Sequence, residues 1–387
     1  MEGFMKLLEG FSEFHWQFLI MYAIGGTLIY LAIAKDYEPM LLLPIGFGAL
    51  LTNLPLSTVW GSGDEIGLLQ ILYNAGILTE LFPALIFVGI GAMTDFRPLL
   101  SSPKMMFFGA AAQFGIFLTI MAVLGLTGIF PSLGFDLYDA VSIGIIGAAD
   151  GPTSIVVASK FAPGLLGPIS VAAYSYMALV PIIQPPIIRL LTSKEERKIR
   201  MPYSGVTPPK WIMVLFPIGV TALAGIIAPI SVPLIGLLMF GNLLRESGVV
   251  ARLAGAAENE LSNIVTLLLG ITIGSTMHFE KFLTFQTLAI LALGLVAFVF
   301  DTAGGVLFAK LMNLFSKNKI NPMIGAAGIS AFPMASRIVQ RMAAKEDPQN
   351  FIIMQAAGAN VAGQIGSVIA GGIVLSLTPW LVSLIGG

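Results

Sequence analysis

Long apolar runs dominate the chain. Residues 16–34, 105–126, 211–228 and 283–300 contain no charged side chain, and about 20 apolar residues suffice to cross a bilayer core as a helix. These runs predict membrane-spanning helices. Ahead of the first run, Phe4, Leu7, Leu8, Phe11 and Phe14 recur at helical spacing among polar residues. That spacing predicts an amphipathic helix over 1–15 lying in the membrane interface, with Trp16 at its edge. Acidic residues interrupt this start and no small-residue cleavage site follows, so it does not read as a secretory signal.

The most polar internal stretch, "TSKEERKIRMPYSGVTPPK" (192–210), reads as a connecting loop whose excess of Lys and Arg places it on the cytoplasmic side. It divides the chain into a first membrane repeat, 16–200, and a second, 201–387. The halves are alike in sequence. "GIGAMTDFRPLL" (89–100) aligns with "TIGSTMHFEKFL" (272–283), and "IGAADGPTSIVVASK" (146–160) aligns with "IGAAGISAFPMASR" (324–337). Repeats of this kind in transporters often have inverted topology, with ion sites at broken helices near the bilayer midplane.

Both members of the second pair carry helix breakers, Gly151-Pro152 and Pro333. Glycine allows unusual backbone angles and proline removes a donor, so each predicts an interrupted helix. Backbone groups freed by the interruption need partners inside hydrocarbon, and a bound cation would be one. A third segment, "QNFIIMQAAGANVAGQIGSVIAGG" (349–372), is apolar but carries Gln355, Asn360, Gln364 and Ser367. Asn360, Gly363 and Ser367 share one helical face, and the many small residues permit close packing.

Composition narrows the chemistry. The chain has 387 residues, 56% hydrophobic and only 11% charged, with mean hydropathy +0.90. Soluble domains carry roughly a quarter charged residues, so a soluble enzyme is excluded. A net charge of −1 gives no footing for nucleic acid. Without cysteine there is no disulfide, Cys-ligated zinc or thiol catalysis, and His15 and His278 alone do not build a histidine metal site. The methionines read as packing material.

Asp150 is then the prominent acid. It fits an ion site, and it also fits the N-cap of the helix that follows. Oxygen donors select hard cations, and one carboxylate per site favours a monovalent ion over calcium. The donor set is Asp150, Thr153, Asn360, Gly363 and Ser367 with freed carbonyls, and the ion is Na+ or a proton. Asp301 is a second buried-looking acid, read either as handling an ion or proton or as the cap of a helix beginning at Thr302. Asp95 reads as a capping or turn residue near the membrane surface. Lys160, Arg337 and Arg341 follow the two breaks, where they would hold an anionic substrate or anchor at the headgroups. Tyr174 and Tyr176 fall in the next span, where one would reach the site as a hydroxyl ligand or proton donor, or else both stand at the interface.

"GIGAMTDFRPLL", "GIIGAADGPTSI", "FGNLLRESGVVARL" and "NPMIGAAGISAFPMASRIVQRMAAKEDPQNFIIMQAAGANVAGQIGS" together resemble the β subunits of the sodium-pumping, biotin-dependent decarboxylases acting on oxaloacetate, methylmalonyl-CoA and glutaconyl-CoA. The resemblance covers essentially the whole chain. It implies an all-α polytopic protein of the bacterial inner membrane, with two inverted repeats, broken or re-entrant helices and an elevator-type scaffold and core. It implies decarboxylation of carboxybiotin coupled to outward Na+ transport with proton uptake. The implied partners are a biotin carrier, a carboxyltransferase α subunit, a small single-span subunit and two further copies of this chain in a trimer. The family's aspartate falls on Asp150, its asparagine and serine on Asn360 and Ser367, and its tyrosine best on Tyr176, with Tyr174 close by. No Lys or Arg follows Lys345, so a carboxylate anchor falls to Lys160, Arg337 or Arg341. No Met-Lys-Met biotinylation site is present, in keeping with biotin arriving on a partner. Broken helices and repeats alone would suit a sodium/carboxylate symporter or Na+/H+ antiporter equally, and a non-catalytic membrane anchor is a third class.

Overall fold

The computed structural model describes residues 13–62, 65–202 and 208–385. The interfacial helix expected over 1–15 therefore lies almost entirely outside the described residues. The first half contains α1 (Trp16–Lys35), α2 (Pro39–Thr52), α3 (Leu68–Leu72, prolonged to Ile77) and α4 (Leu81–Met93). The stretch Leu68–Ile77 meets α4 at 62°. Next come α5 (Met106–Ala112) and α6 (Phe114–Ile129), one span broken at Gln113, then α7 (Leu137–Gly144), α8 (Gly151–Phe161) and α9 (Leu166–Leu191). The second half holds α10 (Lys210–Ile227), α11 (Val232–Ser247), α12 (Ser262–Ser275), α13 (Phe285–Phe315), α14 (Met323–Ala326), α15 (Met334–Glu346) and α16 (Ile353–Ile385).

Six helices among the described residues are long and apolar enough to cross a membrane, seven if the bent pair counts as one span. The four apolar runs fall in α1, α5–α6, α10 and α13; α9 and α16 complete the set. A two-residue β-ladder, Gly61–Ser62 with Glu65–Ile66, is the one sheet among the described residues, so the protein is an all-α polytopic membrane protein. Large apolar side chains point outward over much of the surface, including Trp16, Trp211, Ile226 and Trp380, as a lipid-facing surface requires.

Local sequence explains several boundaries. Asp136 and Asp139 form a reciprocal cap at the start of α7, and Thr284 caps α13. Asp301 does not cap a helix starting at Thr302: α13 runs straight through it. Its charge ends the apolar run in the sequence without ending the helix. Two crossings are unusually close because glycines remove the side chain that would separate the backbones. A methyl at Gly91 of α4 would lie 1.8 Å from the Leu238 carbonyl of α11, and one at Gly274 of α12 would lie 2.0 Å from the Ile45 carbonyl of α2.

Basic residues gather at one end of the bundle. The stretch expected to be a simple connecting loop is bolted down there. Ser193 and Glu196 form a capping box, buried Arg197 pairs with Glu346 at 2.8 Å, Arg200 with Asp347 at 2.7 Å, and Lys310 with Glu196 at 3.1 Å. Asn321 donates to the carbonyls of Arg197 and Ile199, both at 2.9 Å, which ties the start of α14 to the same end. Residues 203–207 of this stretch lie outside the described residues.

Candidate functional site

Two helix breaks meet in the interior. In the first, the tight turn Ile145–Ala148 follows α7, Ala149 adopts a left-handed conformation (φ 53), and extended Asp150 then starts α8. A non-glycine residue in that region stores strain. In the second, the helix lapses between Ala326 and Met334. The breaks touch directly: the Ser330 amide donates to the Ala148 carbonyl at 3.1 Å. Each thus satisfies part of the backbone the other leaves open.

Asp150 is 3% exposed. Its Oδ2 accepts from Thr153 Oγ1 at 2.8 Å and from Ser367 Oγ at 2.7 Å, and its Oδ1 accepts from the Thr153 amide at 3.2 Å. The N-cap role expected for Asp150 is therefore present, and α16 closes over it through Ser367. No cationic side chain pairs with this carboxylate among the described residues. A lone buried carboxylate held by hydroxyls fits a small cation, because each hydroxyl oxygen can turn a lone pair toward it.

Along α16 the polar face grips the second break. Asn360 donates to the Ile329 carbonyl at 2.6 Å, Gln364 donates to the Ser330 carbonyl, and Ser330 Oγ donates to the Gly363 carbonyl at 2.8 Å. Gly363 is glycine because a methyl there would lie 2.2 Å from the Gly328 carbonyl. The structure thus brings Asp150, Thr153 and Ser367 together, while Asn360 sits two helical turns, roughly 10 Å, further along. Asn360 Oδ1 is buried without a partner among the described residues, an oxygen free for an ion or water. Gly363 lies one turn from Ser367 along the same helix. Ser330 was missed as a site residue in the sequence; its place between two breakers was the available signal.

The tyrosines divide. The Tyr174 ring packs on Gly151, where a methyl would lie 2.1 Å from it, and its hydroxyl is buried without a partner among the described residues. The Tyr176 hydroxyl donates to the Leu291 carbonyl of α13. The cations divide as well. Lys160, at the far end of α8 from Asp150, pairs with Glu80 at 2.8 Å. It stands near the start of α9, roughly 39 Å from that helix's other end, where the basic cluster lies. Arg337 and Arg341 are exposed on successive turns of α15 and form no ion pair among the described residues. Asp95 accepts from the Arg97 amide at 3.0 Å, a turn contact. A cavity of about 590 Å³ lined by Trp60, Tyr73, Ser275, His278 and Lys281 takes no wall from the Asp150 cluster.

Comparison with known proteins identifies the family. The sequence profile of the family described as "Na+-transporting oxaloacetate decarboxylase beta subunit" matches residues 17–378. The methylmalonyl-CoA decarboxylase subunit beta of Propionigenium modestum is 50% identical, over 95% of this chain and 96% of its own. The glutaconyl-CoA decarboxylase subunit beta of Acidaminococcus fermentans is also 50% identical, over 95% of each chain. The oxaloacetate decarboxylase beta chain of Klebsiella pneumoniae is 46% identical, over 97% of this chain and 99% of its own. The chain belongs to the family of β subunits of Na+-transporting decarboxylases.

Proposed function

We propose that this subunit decarboxylates carboxybiotin presented by a partner and couples the reaction to outward Na+ transport with uptake of a proton. One observation carries the reading: a buried carboxylate, Asp150, held by Thr153 and Ser367 where two broken helices meet. In a membrane interior such an acid is functional by default. Na+ takes the Asp150–Thr153–Ser367 group, with Asn360 Oδ1 and the Gly363 turn of α16 lining the adjoining position. The bound cation neutralises the carboxylate and so lowers the cost of moving it through hydrocarbon.

Carboxybiotin supplies the carboxyl group whose loss as CO₂ releases the driving free energy. Exposed Arg337 and Arg341, one and two turns beyond Pro333 and free of ion pairs among the described residues, fit an anionic carboxylate arriving from the basic end; Lys160, committed to Glu80, fits it less well. After Na+ leaves, Asp150 takes a proton on a carboxylate oxygen and delivers it to the departing ureido nitrogen, a poor leaving group until protonated. Tyr176 bridges α9 to α13 and keeps that wall of the site in place.

The excess of Lys and Arg at the basic end supports a cytoplasmic placement of that end in a bacterial inner membrane, where a biotin carrier and a carboxyltransferase α subunit would dock; a small single-span subunit and a homotrimer complete the proposed complex. Matching element orders support two inverted repeats: α7–break–α8 enters from one end and α14–break–α15 from the other. The close pairs α2–α12 and α4–α11 read as a scaffold against which the broken-helix core moves in an elevator fashion.

The subunit alone in liposomes should move neither Na+ nor a carboxylate. Adding carboxylated biotin carrier should start both CO₂ release and Na+ transport. Solute-coupled Na+ movement without the carrier would instead establish a secondary transporter.

A further inference from the structure

The Asp150 cluster leaves one buried acid unused. Asp301 lies midway along α13 and is 0% exposed. Its carboxylate fills the gap left by two glycines on neighbouring segments. A methyl on Gly115 of α6 would lie 2.1 Å from Oδ1, and one on Gly147, in the turn that leads to Asp150, would lie 2.5 Å from Oδ2. The Gly115 and Ile116 amides at the start of α6 point toward it, but among the described residues neither oxygen has a partner at full hydrogen-bonding geometry. The hydroxyls of Thr302, beside it, and of Thr119, one turn beyond Gly115 on α6, are also buried without partners.

Among the described residues no cationic side chain pairs with a charge there. Residues 106–129 of α5 and α6, the turn Ile145–Ala148, α14 and α16 contain no titratable side chain. From α9 the titratable groups are Tyr174, Tyr176 and Arg189, the last near the basic end. On α7 they are Tyr138 and Asp139 at its start. On α13 itself Lys310 lies nine residues on and is held by Glu196, and Asp150 follows Gly147 by three residues. An unpaired carboxylate this deep is costly, whereas the neutral acid is readily accommodated.

We propose that Asp301 is a second proton-binding carboxyl, separate from the Asp150 cluster, which packs neutral against Gly115 and Gly147 in this state. When the turn bearing Gly147 withdraws, water reaches the group and takes the proton from its carboxyl oxygen; when the turn returns, the carboxylate regains a proton from water. Repacking of the Asp150 segment onto α13 is thereby tied to proton uptake. Only the kinetic half of the test rests on the sodium-pump reading, so failure of one is distinguishable from failure of the other.

Infrared spectra of the purified complex, recorded in the Asp150→Asn background, should contain a protonated-carboxyl band that Asp301→Asn removes. If the Asn variant does not fold, Asp301→Glu should shift that band. In the otherwise native complex, Asp301→Asn should lower turnover about tenfold and flatten its pH profile while leaving half-saturation by Na+ unchanged. A spectrum unaltered by either change would make Asp301 an ionised cap of α6 and overturn the proposal. Native turnover and pH profile in Asp301→Asn would overturn it, as would a raised Na+ half-saturation with undiminished proton uptake, the mark of a sodium ligand.

Discussion

Ser367 Oγ lies 2.7 Å from Asp150 Oδ2, joining the longest helix of the second half to the helix break of the first across 217 residues of sequence. Under the proposed function, a cation and this hydroxyl share that carboxylate oxygen. Removing the hydroxyl with Ser367→Ala takes away one oxygen ligand and one charge-assisted hydrogen bond, worth about 1.5–3 kcal/mol. Half-saturation by Na+ should rise by about tenfold or more, with the complex still assembled. Titration of decarboxylation against Na+ checks this.

Gly151 stands against the Tyr174 ring, with no room for a methyl. Gly151→Ala should destabilise the subunit by about 1–3 kcal/mol through overpacking. Thermal unfolding in detergent measures the loss, and relief by a second change, Tyr174→Leu, would identify the ring as its cause.

The two tyrosines give opposite expectations. Tyr174→Phe deletes a hydroxyl with no partner, so stability should hold or rise and turnover should persist. Tyr176→Phe deletes the donor that ties α9 to α13 and should lower stability by about 1 kcal/mol and reduce turnover about tenfold. Paired melting curves and rate assays of the two variants separate a packing ring from a positioning hydroxyl.

Much of this was legible in the residues. The apolar runs located four spans, and the breakers at Gly151-Pro152 and Pro333 located both interruptions, because glycine and proline act locally. The contact of Ser330 with Ala148 was not legible, since it pairs segments 182 residues apart through backbone atoms that no side-chain pattern encodes. Asp301 misled for a related reason. Charge ends a hydropathy run, but the glycines at 115 and 147 that accommodate the acid lie on other segments. The 192–210 stretch looked like a loop because it is polar; its fixation depends on Glu346 and Asp347, far along the chain.

That fixation is testable. Arg197 is buried and donates both to Glu346 and to the Thr192 carbonyl, the latter at 2.6 Å. Arg197→Ala strands a half-buried carboxylate, so the expected loss is about 2 kcal/mol, less than for a fully enclosed pair. Thermal unfolding reads it out. Hydrogen exchange should show residues 192–200 opening first.

The neighbouring pair gives a pH dependence of defined sign. The hydrogen bond from Arg200 holds the Asp347 carboxyl below the usual carboxylate range, helped by the Gln349 amide. An acid lowered in the folded state contributes stability above its unfolded value, and that contribution fades as pH falls through the folded one. The attachment should therefore be intact at neutral pH and loosen only in acid below about pH 4. Asp347→Asn should remove that acid dependence from the exchange rates of residues 198–202.

The most direct test of the shared carboxylate is simultaneous measurement of CO₂ release and Na+ movement by the reconstituted complex carrying Asp150→Asn. The account predicts that both collapse together, by at least a hundredfold, in a complex that still assembles and still binds the biotin carrier. Continued Na+-stimulated CO₂ release, or Na+ transport surviving without it, would contradict the account.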